Sequence, residues 1–193
     1  MQNICLEVSY ETFVKPVQSN FKVVELTREK ADQLDQLAEK ICSAKYQEYK
    51  YDKGALSKRI QTGLYGEAAL EQMLGVDIID WDVWHSAEFD VGDLLKSGVD
   101  CGVKTVEYWK FPIVHLYPMR PEVIILRHEL RFLICGLYTQ DVMKMYSTRD
   151  FILDPNVRGT KTAFYGIPFY KSFDSLERLA DLCGWAAGAP TTT

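Results

Sequence analysis

Apolar and polar positions alternate most regularly over Val99–Thr105. In an extended chain Val99, Cys101, Val103 and Thr105 fall on one face, and Asp100, Gly102 and Lys104 on the other. This predicts a strand with an apolar side for a core and a polar side carrying an acid, a glycine and a lysine. Two other stretches are apolar without alternation, Val123–Leu126 and Phe132–Leu137. They predict central strands, with a break at His128–Glu129.

A 3–4 spacing replaces alternation over residues 28–48, where Ala31, Leu34, Leu37, Ala38 and Ile41 mark one side of a helix. Thr27 is its expected N-cap, with Glu29 in the first turn. A second helix is predicted from Ala55 to Leu74, stopped by Gly75, with Ile60, Leu64, Leu70 and Leu74 on its buried side. Glu67 falls on that same side. A buried carboxylate costs several kcal/mol unless it is paired, protonated or bound to a cation, so Glu67 is a candidate for one of these. Gly63 and Gly66 each lower helix stability by about 1 kcal/mol relative to alanine. Two glycines one turn apart predict that another element packs very close there.

Shorter signals fill the rest. Residues 1–26 suit one or two short strands or an extended arm broken near Pro16, and residues 76–106 read as a β-meander that includes Glu88–Val91 and the Val99–Thr105 strand. Phe111–Val114 begins a further apolar segment. A short helix opens at Thr139 or Gln140 and runs to Met145, Tyr165–Phe169 reads as extended, and Ser172 or Asp174 caps a last helix over Leu176–Cys183. Residues 187–193 form a tail. Together these predict an α/β protein, a mixed central sheet flanked by helices, in a single domain over 1–186 with an N-terminal helical extension.

Composition narrows the chemistry. The chain of 193 residues is 47% hydrophobic and 25% charged, ordinary for a globular protein, and no apolar run reaches the length of about 18 residues that spans a bilayer. The first residues lack a basic start and apolar core, so a cytoplasmic location and no membrane association are expected. Cys5, Cys42, Cys101, Cys135 and Cys183 are scattered with no Cys-x-x-Cys pair, against a disulfide framework or structural zinc. His85, His115 and His128 show no metal-ligand spacing. A net charge of −5 excludes a basic coating protein, so any nucleic-acid contact must come from a local patch. Candidates are Lys58, Arg59, Arg158 and Lys161, the last two in a glycine-containing basic loop. Tyr46–Lys53 interleaves aromatics with lysines but reads more simply as a helix end entering a polar loop.

Gly63-x-x-Gly66-Glu67-Ala68-Ala69, Phe89-Asp90-Val91, Val103-Lys104-Thr105 and the late Ile167–Pro168 follow one another in an order that resembles the PD-(D/E)XK nuclease superfamily, the restriction-endonuclease-like fold, over about residues 55–180. The resemblance implies metal-dependent hydrolysis of DNA phosphodiester bonds, with RNA and a homodimer left open. It implies Asp90 or Asp93 as the first metal-binding acid, Lys104 as the catalytic lysine, and Glu67 as a helix acid of the same site. Oxygen ligands suit Mg²⁺ or Mn²⁺, which would acidify a bound water and neutralise charge on the phosphate.

One position departs from the pattern. Two residues before the lysine, where the family carries Asp or Glu, stands Gly102. Asp100 is the nearest acid on that face, a metal and catalytic candidate, but in a regular strand its Cα lies about 13 Å from that of Lys104 instead of about 7 Å. A bulge at Gly102 would bring it closer. Two expectations follow: a nuclease using Asp100 in place of the missing acid, or an inactive nuclease-fold protein that binds nucleic acid or a protein partner.

Overall fold

A computed structural model describes residues 10–46, 53–81, 94–152 and 158–184. Its elements, in chain order, are β1 (Lys22–Glu25), α1 (Arg28–Tyr46), α2 (Lys53–Leu74), β2 (Gly102–Glu107), β3 (Ile113–His115), β4 (Glu122–His128), β5 (Arg131–Tyr138), α3 (Gln140–Met145), β6 (Ser147–Thr148), β7 (Lys161–Phe164) and α4 (Leu176–Leu182). The α/β class follows directly from this order. Asp90, Asp93, most of 46–53 and the 187–193 tail lie outside the described residues.

Four strands form a mixed sheet in the order β1-β5-β4-β2, and three form a smaller sheet in the order β3-β7-β6. In the larger sheet β4 runs antiparallel to β5 and parallel to β2. The non-alternating apolar runs are explained by burial on both faces. Val123, Ile125, Phe132 and Ile134 pack against Leu34, Ala38, Leu64 and Ala68 of the helices. Ile124, Leu126, Leu133 and Cys135 point the other way, onto Val114, Met143, Ala163, Phe164 and Ile167. The large sheet is thus covered by helices on one side and by the small sheet with its loops on the other.

The helix α1 buries all five of its predicted positions, and Thr27 Oγ1 accepts a hydrogen bond from the Lys30 N–H at 3.2 Å, as a cap should. Polar contacts then fix α1 to α2: Tyr65 Oη and Gln61 Nε2 donate to Asp35 Oδ1 at 2.9 and 2.6 Å, and Lys30 pairs with Glu71 at 3.3 Å. The close approach predicted at the glycines occurs at one of them. A Cβ on Gly66 would sit 1.6 Å from Thr105 Oγ1, so α2 meets β2 at backbone distance; at Gly63 the nearest atom would be 3.8 Å away.

Several local expectations are corrected. The first described stretch of the predicted meander, residues 76–81, is not a strand: Ile78 and Ile79 are both buried, and both backbone N–H groups donate to Glu71 Oε2. The strand at Lys104 begins at Gly102 and not at Val99, because the Cys101 N–H turns back to the Val99 carbonyl at 2.9 Å. No bulge occurs at Gly102: the β2–β4 register is unbroken from Gly102 to Glu107, and the irregularity falls instead between Ile124 and Ile125 of β4, opposite Gly136 at φ 132° on β5. Residues Ile167–Phe169 form a 3₁₀ turn and not an extended segment. The last helix is capped by Ser175, whose side chain accepts from the Arg178 N–H, and neither Ser172 nor Asp174 takes that role. No helix among the described residues is long and apolar enough to cross a membrane.

Candidate functional site

The alternation of β2 decides where Lys104 points. Val103 packs on the helical core and Thr105 faces Gly66 of α2, so Lys104 projects from the opposite face, toward the small sheet. Parallel pairing sets Gly102 against Glu122 and Lys104 against Ile124. Register partners share a face, so the Glu122 carboxylate stands on the Lys104 side at the level where Gly102 supplies nothing. Its Oε2 is shielded from solvent.

Across from β2, Lys161 lies on β7, in a strand and not in the flexible loop expected from its neighbours. Its strand partner is His115 on β3, and Lys161 Nζ rests against His115 Nε2. Burial pushes the Lys161 ammonium below its ordinary pKa; the charges of Lys104 and Arg59 push it further down, while Glu122 pulls it back up. The charges of Lys104 of β2, Arg59 of α2 and Glu122 of β4 therefore all reach Lys161 of β7, which also touches His115.

This site draws together two sets of residues that the sequence kept apart, Lys104, expected as a catalytic lysine, and two of the nucleic-acid candidates, Arg59 and Lys161. Lys58 is exposed beside Arg59. Arg158 is directed elsewhere, its Nε donating to the Ile152 carbonyl at 2.7 Å. Glu67 is half-buried one residue beyond Gly66, on the part of α2 that meets β2. Asp100 is exposed, and its charge acts on Cys183 at the end of α4; among the described residues it shares no ion pair with Lys104. Cys183 is also hydrogen-bonded by Cys101, which lowers its thiol pKa against the opposing effects of burial and Asp100.

Glu122 and His115 were not recognised as site residues in the sequence. Glu122 opens an apolar strand and reads as a boundary residue, and only strand pairing sets it beside Gly102. The fit to a hard divalent ion is incomplete. No group of three or more His, Cys, Asp or Glu side chains able to hold a metal ion occurs among the described residues, and Asp90 lies outside them. What the described arrangement offers chemically is a partly buried lysine within reach of two further cations and a carboxylate with a shielded oxygen, groups of the kinds that hold an anion or move a proton. No family model, curated protein or solved structure matches this chain.

Proposed function

We propose that this chain binds nucleic acid through its phosphate backbone at Lys104, Lys161 and Arg59, with His115 beside Lys161. The observation that carries the reading is that Lys161, in contact with His115 across the small sheet, lies within reach of the charges of Lys104 and Arg59 from two other elements, inside a protein of net charge −5. Gathering like charges on a partly buried lysine is unfavourable, and a bound phosphate reverses that penalty.

The test is equilibrium binding of a fluorescent oligonucleotide at several salt concentrations, with EDTA present. Each phosphate neutralised contributes about 0.7 to 0.9 to the slope of log affinity against log salt. Lys104→Ala and Lys161→Ala should each weaken binding and flatten that slope by about this amount. Unchanged affinity and slope in both variants would refute the reading.

A second reading, phosphodiester hydrolysis, is favoured by Glu122. It places a carboxylate beside the lysine at the level of the missing acid, a task for which Asp100 is poorly placed. A carboxylate there can orient and deprotonate a water next to a phosphate held by Lys104. Incubating supercoiled plasmid with Mg²⁺ or Mn²⁺ tests this. Nicking by the wild type that disappears in Glu122→Gln, with oligonucleotide binding retained, is the expected result; a wild type that never nicks leaves binding as the function.

A further inference from the structure

The segment between His115 and Glu122 leaves the cationic cluster and returns to it. His115 touches Lys161 at one end, and the charge of Glu122 acts on Lys161 at the other. Between them the chain exposes two large side chains, Tyr117 at 77% and Met119 at 85%, the most exposed large hydrophobic residues among those described. Their backbone is nevertheless held. The Leu116 N–H donates to the Thr160 carbonyl at 2.9 Å, Gln140 Nε2 donates to the Met119 carbonyl at 3.2 Å, and the Gly102 N–H donates to the Pro121 carbonyl at 3.0 Å. Pro118 and Pro121 are buried beneath. Two residues of chain span at most about 7 Å, so the Tyr117 backbone stays next to His115 and the cluster.

An aromatic ring bare to water on a pinned loop beside a phosphate-binding cluster has the features of a base-stacking platform. Its presentation requires little ordering on binding, because the loop is already anchored. Cations alone do not distinguish duplex from single strand, since both offer phosphates. An exposed ring does, because only an unpaired base can turn its face to it. We propose that the ligand of this site is single-stranded nucleic acid, with its phosphates on Lys104, Lys161 and Arg59 and an unpaired base stacked on Tyr117. The inference rests on the phosphate-binding reading above and adds the class of strand.

Three probes separate the two claims: a fluorescein-labelled 20-nucleotide oligothymidylate, an abasic strand with the same number of phosphates, and a 20-base-pair duplex. Each is titrated by anisotropy in EDTA at low salt. Wild type should prefer oligothymidylate to both other probes. Tyr117→Ala should lose about 5- to 150-fold for oligothymidylate, the range for one stacked base, with its salt slope and its affinity for the abasic strand unchanged. Tyr117→Phe should bind as wild type. Tyr117 is exposed, so thermal melts of the variants should coincide with wild type.

If Tyr117→Ala binds oligothymidylate like wild type, or if wild type binds duplex or abasic strand as tightly, the single-strand proposal is overturned while phosphate binding stands. If no probe binds, or if Lys104→Ala and Lys161→Ala change nothing, phosphate binding itself fails and the proposal with it.

Discussion

The contact between α2 and β2 predicts opposite outcomes for one substitution at two neighbouring glycines. Alanine exceeds glycine by about 1 kcal/mol in helix propensity, so Gly63→Ala, whose Cβ meets nothing closer than 3.8 Å, should stabilise by up to that amount. At Gly66 the same gain is opposed by overlap. The new Cβ would lie 1.6 Å from Thr105 Oγ1, 2.7 Å from its Cβ and 2.9 Å from its Cγ2. Rotating Thr105 relieves the first and third contacts but not the second, because its Cβ does not move with χ1. Carbon atoms sit comfortably at about 3.5–4.0 Å, so helix and strand must separate by about 1 Å. Overpacking of this kind costs about 1–3 kcal/mol, and the severity of the overlap places Gly66→Ala at the upper end. Subtracting the propensity gain leaves a net loss of about 2 kcal/mol, or about 4–8 °C in Tm for a chain of this size. Thermal and urea melts followed by circular dichroism measure both variants. Thr105→Ala in the Gly66→Ala background should recover part of the loss, a coupling expected of residues in contact. A Tm for Gly66→Ala equal to or above wild type would refute the close-approach argument. So would equal effects at both glycines.

Two further outcomes rest on perturbed ionisations. Lys161 has its folded pKa lowered, so the unfolded chain holds this proton more tightly and stability gains from the group as pH rises through the folded value toward 10.5. Nucleic-acid binding should take up a proton there, and affinity should fall with rising pH below the range of an ordinary lysine; a Lys161→Arg variant should lose that part of the dependence, and a retained profile would exclude Lys161 as its source. Cys183 has a lowered thiol pKa, whereas burial raises that of Cys135, so iodoacetamide near neutral pH should label Cys183 ahead of Cys42, Cys101 and Cys135 in peptide mapping. Cys101→Ala removes the hydrogen bond and should slow that labelling; unchanged kinetics would exclude the contact.

Local repetition made much of the framework legible. The five apolar positions of α1 and its Thr27 cap are set by side-chain spacing over one or two turns, and the uninterrupted runs in β4 and β5 announced strands buried on both faces. Even the near contact at Gly66 showed itself, because glycine inside a helix is hard to account for without a neighbour. Tertiary structure decided everything that depends on which strand lies beside which. Gly102 looked like a missing acid to be replaced by Asp100 of its own strand, with a bulge there to bring the two closer. Parallel pairing with β4 put Glu122 beside it across the sheet and left the register of β2 intact. The proposed binding site has the same origin. Arg59, Lys104, His115 and Lys161 belong to four different elements, and no periodicity of 2 or 3.6 residues relates them. Helix and strand periods arise from bonds to near neighbours and are written in the local order of residues. A binding site arises from the pairing of distant segments, which only the packed sheet and its covering layers determine.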